Sequence, residues 1–247
     1  LEAIEAHDFN TIGLTATDTT TKGVFVSFAK RLREDEGKKI QVVVENYPTA
    51  DYEGVISVKN GVVLADGTTL TAAQAVAWVA GATAGSAANQ SLTYDAYDGA
   101  VDVAPKYTNS QIVTALQNGE FVFTVMDGRA IVEQDINTLH TFTPEKGKAF
   151  RKNRVLRVLD GLANDYMRTF SQSYIGKVAN NDDGRNLFKS EIINITNQYQ
   201  NIGAVQNFDP QTDLEVLPGA DTDAVVVNQW VWPVDSIEKI YMTVTVR

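Results

Sequence analysis

Cysteine is absent from the 247-residue sequence. Its absence removes disulfides, thiolate metal sites and cysteine nucleophiles from the available chemistry and fits a reducing compartment. Histidine is nearly absent. His7 and His140 lie far apart and neither stands in an H-x-x-x-H spacing, so a zinc site would have to recruit scattered carboxylates. Positive charge is in deficit, with 21 Lys and Arg against 31 Asp and Glu. The net charge of −10 and an isoelectric point near 4.7 argue against nucleic acid as a partner. No apolar run is long enough for a membrane span. The nearest, residues 72–88 (AAQAVAWVAGATAGSAA), is short and interrupted by Gln74, Thr83 and Ser86.

Catalytic signatures are missing as well. There is no G-x-S-x-G elbow, no G-x-x-x-x-G-K-[ST] phosphate loop and no G-x-G-x-x-G turn after a strand. The run NNDDG at 180–184 lacks the alternating ligands and terminal Glu of a calcium loop and reads as a helix N-cap. The sequence therefore offers no anchor for catalysis, and neither a metal nor a cofactor is expected.

What is present is ordinary globular material: 44% apolar and 21% charged residues, enough for a sizeable core. The chain opens at Leu1 inside LEAIEAHDFN, which reads as the last turns of an amphipathic helix, so a missing N-terminal portion is expected. Residues 11–15 (TIGLT) predict a strand. Residues 18–36 predict a helix with Val24, Phe28 and Leu32 on one face, ended by Gly37, and residues 40–45 (IQVVVE) predict a buried strand. Strand, helix, strand with short connections is the signature of an α/β layer. Residues 54–64 read as a hairpin turning at Asn60-Gly61. Thr71 and Gln74 form a capping box that opens an apolar helix, in which Gly81 and Gly85 suggest close packing on a sheet, with a ligand pocket as the rarer alternative. Residues 91–103 have β character, 108–118 predict a short helix, and 120–137 a hairpin turning at Asp127-Gly128.

The texture changes near residues 137–144, where a domain boundary is expected. Residues 144–177 predict one basic helix, with eight Lys and Arg against three Asp and Glu. Its net charge of +5 leaves −15 for the rest of the chain. Val155, Leu159, Leu162, Tyr166, Phe170 and Tyr174 form its apolar stripe, and a second helix is expected from Asp182 to about residue 201. Three β runs follow, at 214–217, 224–232 and the end of the chain. In the last, Ile240, Met242, Val244 and Val246 alternate with Tyr241, Thr243, Thr245 and Arg247, the period of a half-buried strand. On pattern alone it is either the last strand of the protein's own sheet or one offered to another chain.

Three stretches, WVAGATAGSAANQSLTYDAY, DINTLHTFTPEKGKAFRKNRVLRVLDGL and VDSIEKIYMTVTVR, together resemble the tail sheath proteins of contractile bacteriophage tails and related prophage particles. The likeness covers nearly the whole chain. It implies an α/β outer domain over residues 1–137 and a smaller α+β C-terminal domain over 138–247 that lies at inner radius and ends in an exchangeable strand. It implies a virion structural protein, assembled in the bacterial host cytoplasm, that polymerises around the tail tube and contracts to drive the tube through the target envelope. The expected partners are neighbouring sheath subunits, the tube protein, baseplate and tail terminator. Residues Ile240, Tyr241, Met242, Thr243, Val244, Thr245 and Val246 become the inter-subunit strand, with a hinge at Pro233-Val234-Asp235-Ser236. The basic segment places Arg151, Lys152, Arg154 and Arg157 toward the tube. The competing expectation is a hydrolase of α/β type whose site is completed by the missing N-terminal region.

Overall fold

The computed structural model describes residues 1–246; Arg247, counted above in the terminal strand, lies outside the described residues. A short helix, α1 (Glu2–Glu5), precedes β1 (Thr11–Gly13). Helix α2 (Thr19–Glu34) begins at Asp18, whose carboxylate accepts the Thr21 amide at 2.7 Å, and ends before Gly37 in the left-handed region at φ +73°. Its buried stripe runs through Lys22, Val26, Phe28, Ala29, Leu32 and Arg33. Val24 is 51% exposed: the buried face is centred on 22, 26, 29 and 33, and the row 24, 28, 32 reaches it only at Phe28 and Leu32.

Strands β2 (Gln41–Glu45) and β3 (Val55–Val58) join β1 in a parallel sheet. Both faces are covered, which is why β2 is apolar without alternation. Val42 and Val44 pack with Phe28 and Leu32 of α2, whereas Val43, Ile56 and Val58 point into the other layer.

The expected hairpin at 54–64 does not form. Strand β4 (Gly61–Leu64) leaves the parallel sheet and pairs with β5 (Thr69–Leu70) and, after α3 (Ala72–Gly85), with β6 (Ala100–Ala104), in a second, antiparallel sheet. Asn60 marks the crossing. It is 1% exposed, its Oδ1 accepts the Phe123 amide at 2.9 Å, and its Nδ2 donates to the Phe123 carbonyl at 3.0 Å. Gly61 follows because a Cβ there would stand 1.8 Å from the Leu70 carbonyl oxygen. The Asn-Gly pair thus serves a strand crossing and not a tight turn.

Helix α3 opens on the expected Thr71–Gln74 capping box and buries Ala75, Val76, Val79 and Thr83 against the parallel sheet. The close approach comes from the strand side. A Cβ on Gly13 would lie 3.0 Å from the Ala80 Cβ, whereas Gly81 and Gly85 face open space, so the packing reading of those two glycines is overturned. After α4 (Asn109–Gln117), capped by Thr108 and Gln111, β7 (Glu120–Phe121) adds to the parallel sheet beside β3. Strands β8 (Phe123–Met126) and β9 (Arg129–Val132) form the hairpin expected at Asp127-Gly128, both of which have positive φ.

In the second half, α5 (Asn153–Ser173) starts nine residues later than the basic run suggests. The backbone before it is engaged elsewhere. The Asn137 amide donates to the Arg151 carbonyl at 3.0 Å, the Asn137 side chain to the Phe150 carbonyl at 2.8 Å, and Lys152 is extended opposite Ile136. Helix α6 (Asp182–Asn201) is capped by Asn181, which accepts the Gly184 amide at 2.8 Å. Two ribbons complete this half, one of β10 (Val205–Gln206) with β13 (Trp232–Pro233) and one of β11 (Leu214–Pro218) with β12 (Val225–Gln229). Their core is Val158, Leu162, Ile192, Ile195, Phe208 and Leu214.

Residues 240–246 form no strand. A ladder needs a second backbone, and none lies beside them among the described residues. The side chains of Ile240, Tyr241, Met242, Val244 and Val246 are each at least 77% exposed, and Thr243 and Thr245 are exposed with them.

Candidate assembly surface

The four cations singled out at the start of α5 divide into two pairs. Lys152 forms an ion pair with Glu238, their side chains 21% and 6% exposed. Arg157 donates to the Gln90 carbonyl at 2.6 Å and reaches the buried Asp135 carboxylate at 3.5 Å. Asp135 also accepts the Leu92 amide at 3.0 Å and the Asn153 side chain at 2.8 Å, so it is a structural node. Arg151 and Arg154 have no carboxylate partner among the described residues; burial holds the Arg151 guanidinium below its usual pKa. Lys152 and Arg157 are therefore committed internally, each to a buried carboxylate, and Arg151 and Arg154 are the two of the four without such a partner among the described residues.

The remaining charges of this segment fasten the two halves of the chain. Arg33 of α2 grips Asp160 of α5 through both terminal guanidinium nitrogens, at 2.6 and 2.8 Å, and its Nη1 also donates to the Ile40 carbonyl. Burial pushes the Asp160 carboxyl upward, with the Arg33 guanidinium pulling it down. Asn164 exchanges two hydrogen bonds with the backbone of Lys39, at 2.9 and 3.1 Å, and Lys146 pairs with Glu53 at 2.6 Å. Sequence reasoning missed these partners because each pair is far apart in the chain and no local pattern marks it.

The end of the chain is held up to a definite point. Pro233 lies in β13, and the Val234 amide donates to the Ala204 carbonyl at 2.9 Å. Glu238 then receives the Thr93 hydroxyl at 2.8 Å, the Ser236 hydroxyl at 3.2 Å and the Lys152 ammonium. The hinge expected at 233–236 is thus tied at both ends. Beneath it lies a groove of about 570 Å³ lined by Ile136, Phe142, Lys148, Arg151 and Ile237. Nearby chemistry stays sparse. His140 sits 2.9 Å from the Thr138 carbonyl and 3.2 Å from Asp51, and among the described residues no group of three acidic or histidine side chains is placed to hold a metal. No described helix is long and apolar enough to cross a membrane.

The β11–β12 ribbon turns Leu214 and Gln229 inward, Gln229 meeting the Tyr166 hydroxyl at 2.9 Å. Leu217 and Val226, paired across the ribbon and each 45% exposed, face outward. Two strands are fewer than an independent sheet needs.

Residues 1–138 match the family model described as phage tail sheath protein central domain, and residues 145–247 the model described as phage tail sheath C-terminal domain. The phage-like element PBSX protein XkdK of Bacillus subtilis is 42% identical over 256 residues, covering 100% of this chain and 55% of its own length. The crystal structure of a sheath tail protein from Desulfitobacterium hafniense superposes with a TM-score of 0.91 at 66% identity, over 98% of this chain and 57% of that one. The helical sheath of the anti-feeding prophage in its contracted state shares the fold at 15% identity, with a TM-score of 0.72 over 98% of this chain and 71% of that one. The chain thus spans about half the length of the curated relatives it matches.

Proposed function

This chain belongs to the phage tail sheath family, and we propose that it is the polymerising part of a sheath subunit that surrounds a tail tube and drives it through a cell envelope by contraction. The observation that carries this reading is the arm beyond Glu238: a strand-patterned segment with large apolar side chains in solvent and, among the described residues, no backbone beside it to pair with. Such a segment becomes a strand when its backbone groups and alternate side chains are taken up by another sheet. The β11–β12 ribbon of a neighbouring copy supplies an acceptor of the right kind, short of strands, with Leu217 and Val226 on its outer face beside the Glu215–Asn228 pair.

In this reading residues 1–137 form the outer α/β domain and residues 138–247 the inner one, with Arg151 and Arg154 toward the tube. Copies of itself, the tube protein, the baseplate and the tail terminator are its partners, and assembly takes place in the cytoplasm of the bacterial host. It acts without catalysis or a cofactor. The comparisons lend nothing to a hydrolase. Electron microscopy of the full-length protein tests the proposal: alone it should build regular tubes, and with Val244→Pro, which removes a ladder amide, it should not. Regular tubes from the Val244→Pro protein would overturn the arm reading.

A further inference from the structure

We infer that Glu238 is the fixed root of the C-terminal arm and Lys239 its pivot, an inference that rests on the arm reading above. Three donors converge on one carboxylate: the Thr93 hydroxyl at 2.8 Å, the Ser236 hydroxyl at 3.2 Å and the Lys152 ammonium. The Glu238 side chain is 6% exposed, so its charge is compensated by these groups more than by water. The anchor is continuous with the rigid interior. The Thr93 hydroxyl oxygen also accepts the Asp135 amide at 3.0 Å, and Asp135 is the node that collects Leu92, Asn153 and Arg157.

Mobility is therefore divided sharply along the chain. Ile237 is 89% exposed, yet it lies between Val234, bonded to Ala204, and Glu238. From Lys239 to Val246 no hydrogen bond joins the arm to the body among the described residues. A backbone that is fastened on one side of a peptide and free on the other absorbs rotation at the first free residue. Every copy would then release its arm from the same point, with only the dihedrals from Lys239 onward adapting to the position of the acceptor. The expected hinge at 233–236 would stay rigid.

The absence of cysteine makes the test direct, since one introduced thiol is the only labelling site. Nitroxide labels are placed singly at Ile237→Cys and Tyr241→Cys, and their mobility is read by electron paramagnetic resonance on the dispersed chain. The label at 241 should tumble freely and the label at 237 several-fold more slowly. Adding Glu238→Gln or Lys152→Met should bring 237 to the rate of 241, and Thr93→Val should move it part of the way. Equal mobility at 237 and 241 in the otherwise unaltered chain would overturn the inference, and that comparison needs no anchor variant to fold. A folded Glu238→Gln chain that keeps 237 slow would also overturn it. Arm donation is read separately, by tube formation with Val244→Pro, so the two readings fail independently.

Discussion

Arg33 and Asp160, 127 positions apart, share a two-point ion pair at 2.6 and 2.8 Å that joins α2 to α5. Arg33 is 4% exposed, so removing its partner strands a cation out of water. Asp160→Leu or Arg33→Met should each cost about 3 kcal/mol in denaturant unfolding, the scale for breaking one side of a buried pair. The double variant Arg33→Met with Asp160→Leu should recover much of that loss, because neither charge is then left alone. Additive losses in this cycle would show that the pair is not coupled.

Asp51 provides the acid-sensitive contact between the halves. Burial raises its pKa, but the amides of His140 and Thr141, at 2.8 and 3.0 Å, outweigh that and hold the carboxyl below its usual range. A carboxylate with a depressed folded pKa stabilises the fold above its unfolded pKa, about 3.9, and loses that contribution as pH falls through the lower folded value. Asp51→Asn keeps an acceptor oxygen and tolerates the residue's φ of +43°. It should lower stability at pH 7 and flatten the decline below about pH 4. A variant whose acid unfolding curve parallels that of the parent would refute this assignment.

The basic segment can be dissected by charge reversal in pairs. Arg151→Glu with Arg154→Glu should weaken co-sedimentation with tube protein and lower the melting midpoint only modestly, since both side chains are half-buried but neither faces a carboxylate among the described residues. Lys152→Glu with Arg157→Glu should instead depress the melting midpoint, because both cations face buried carboxylates. Unchanged co-sedimentation of the first pair would remove those two residues from tube contact.

Two glycines should respond in opposite directions. Gly61→Ala drives a methyl into the Leu70 carbonyl and should cost about 3 kcal/mol or more, the upper range for forced overpacking. Gly81→Ala adds a methyl into open space in mid-helix and should gain about 0.5–1 kcal/mol. Thermal melts of the two variants settle both.

Local backbone chemistry was legible in the sequence. The cap at Thr71, the cap in the run 180–184 and the turn at Asp127-Gly128 each depend on neighbours within four residues, and each forms as read. Asn60-Gly61 misled because its partner, Phe123, lies far along the chain, and the same two residues suit either a tight turn or a sheet crossing. The basic run concealed the true start of α5 because helical spacing in side chains says nothing about where the backbone of 150–152 is already bonded. Lys152 looked like a surface cation for a related reason: Glu238 lies 86 residues away, and charge count carries no direction.

The bonds from Arg33, Asn164 and Lys146 across the two halves have a mechanical consequence. A body fastened this way behaves as a lever without a spring. If an array of such levers does work, the energy must be stored at the joints between copies, and it grows with the length of the array. Damage inside one lever then lowers the number of working parts and leaves the stroke of each surviving part unchanged.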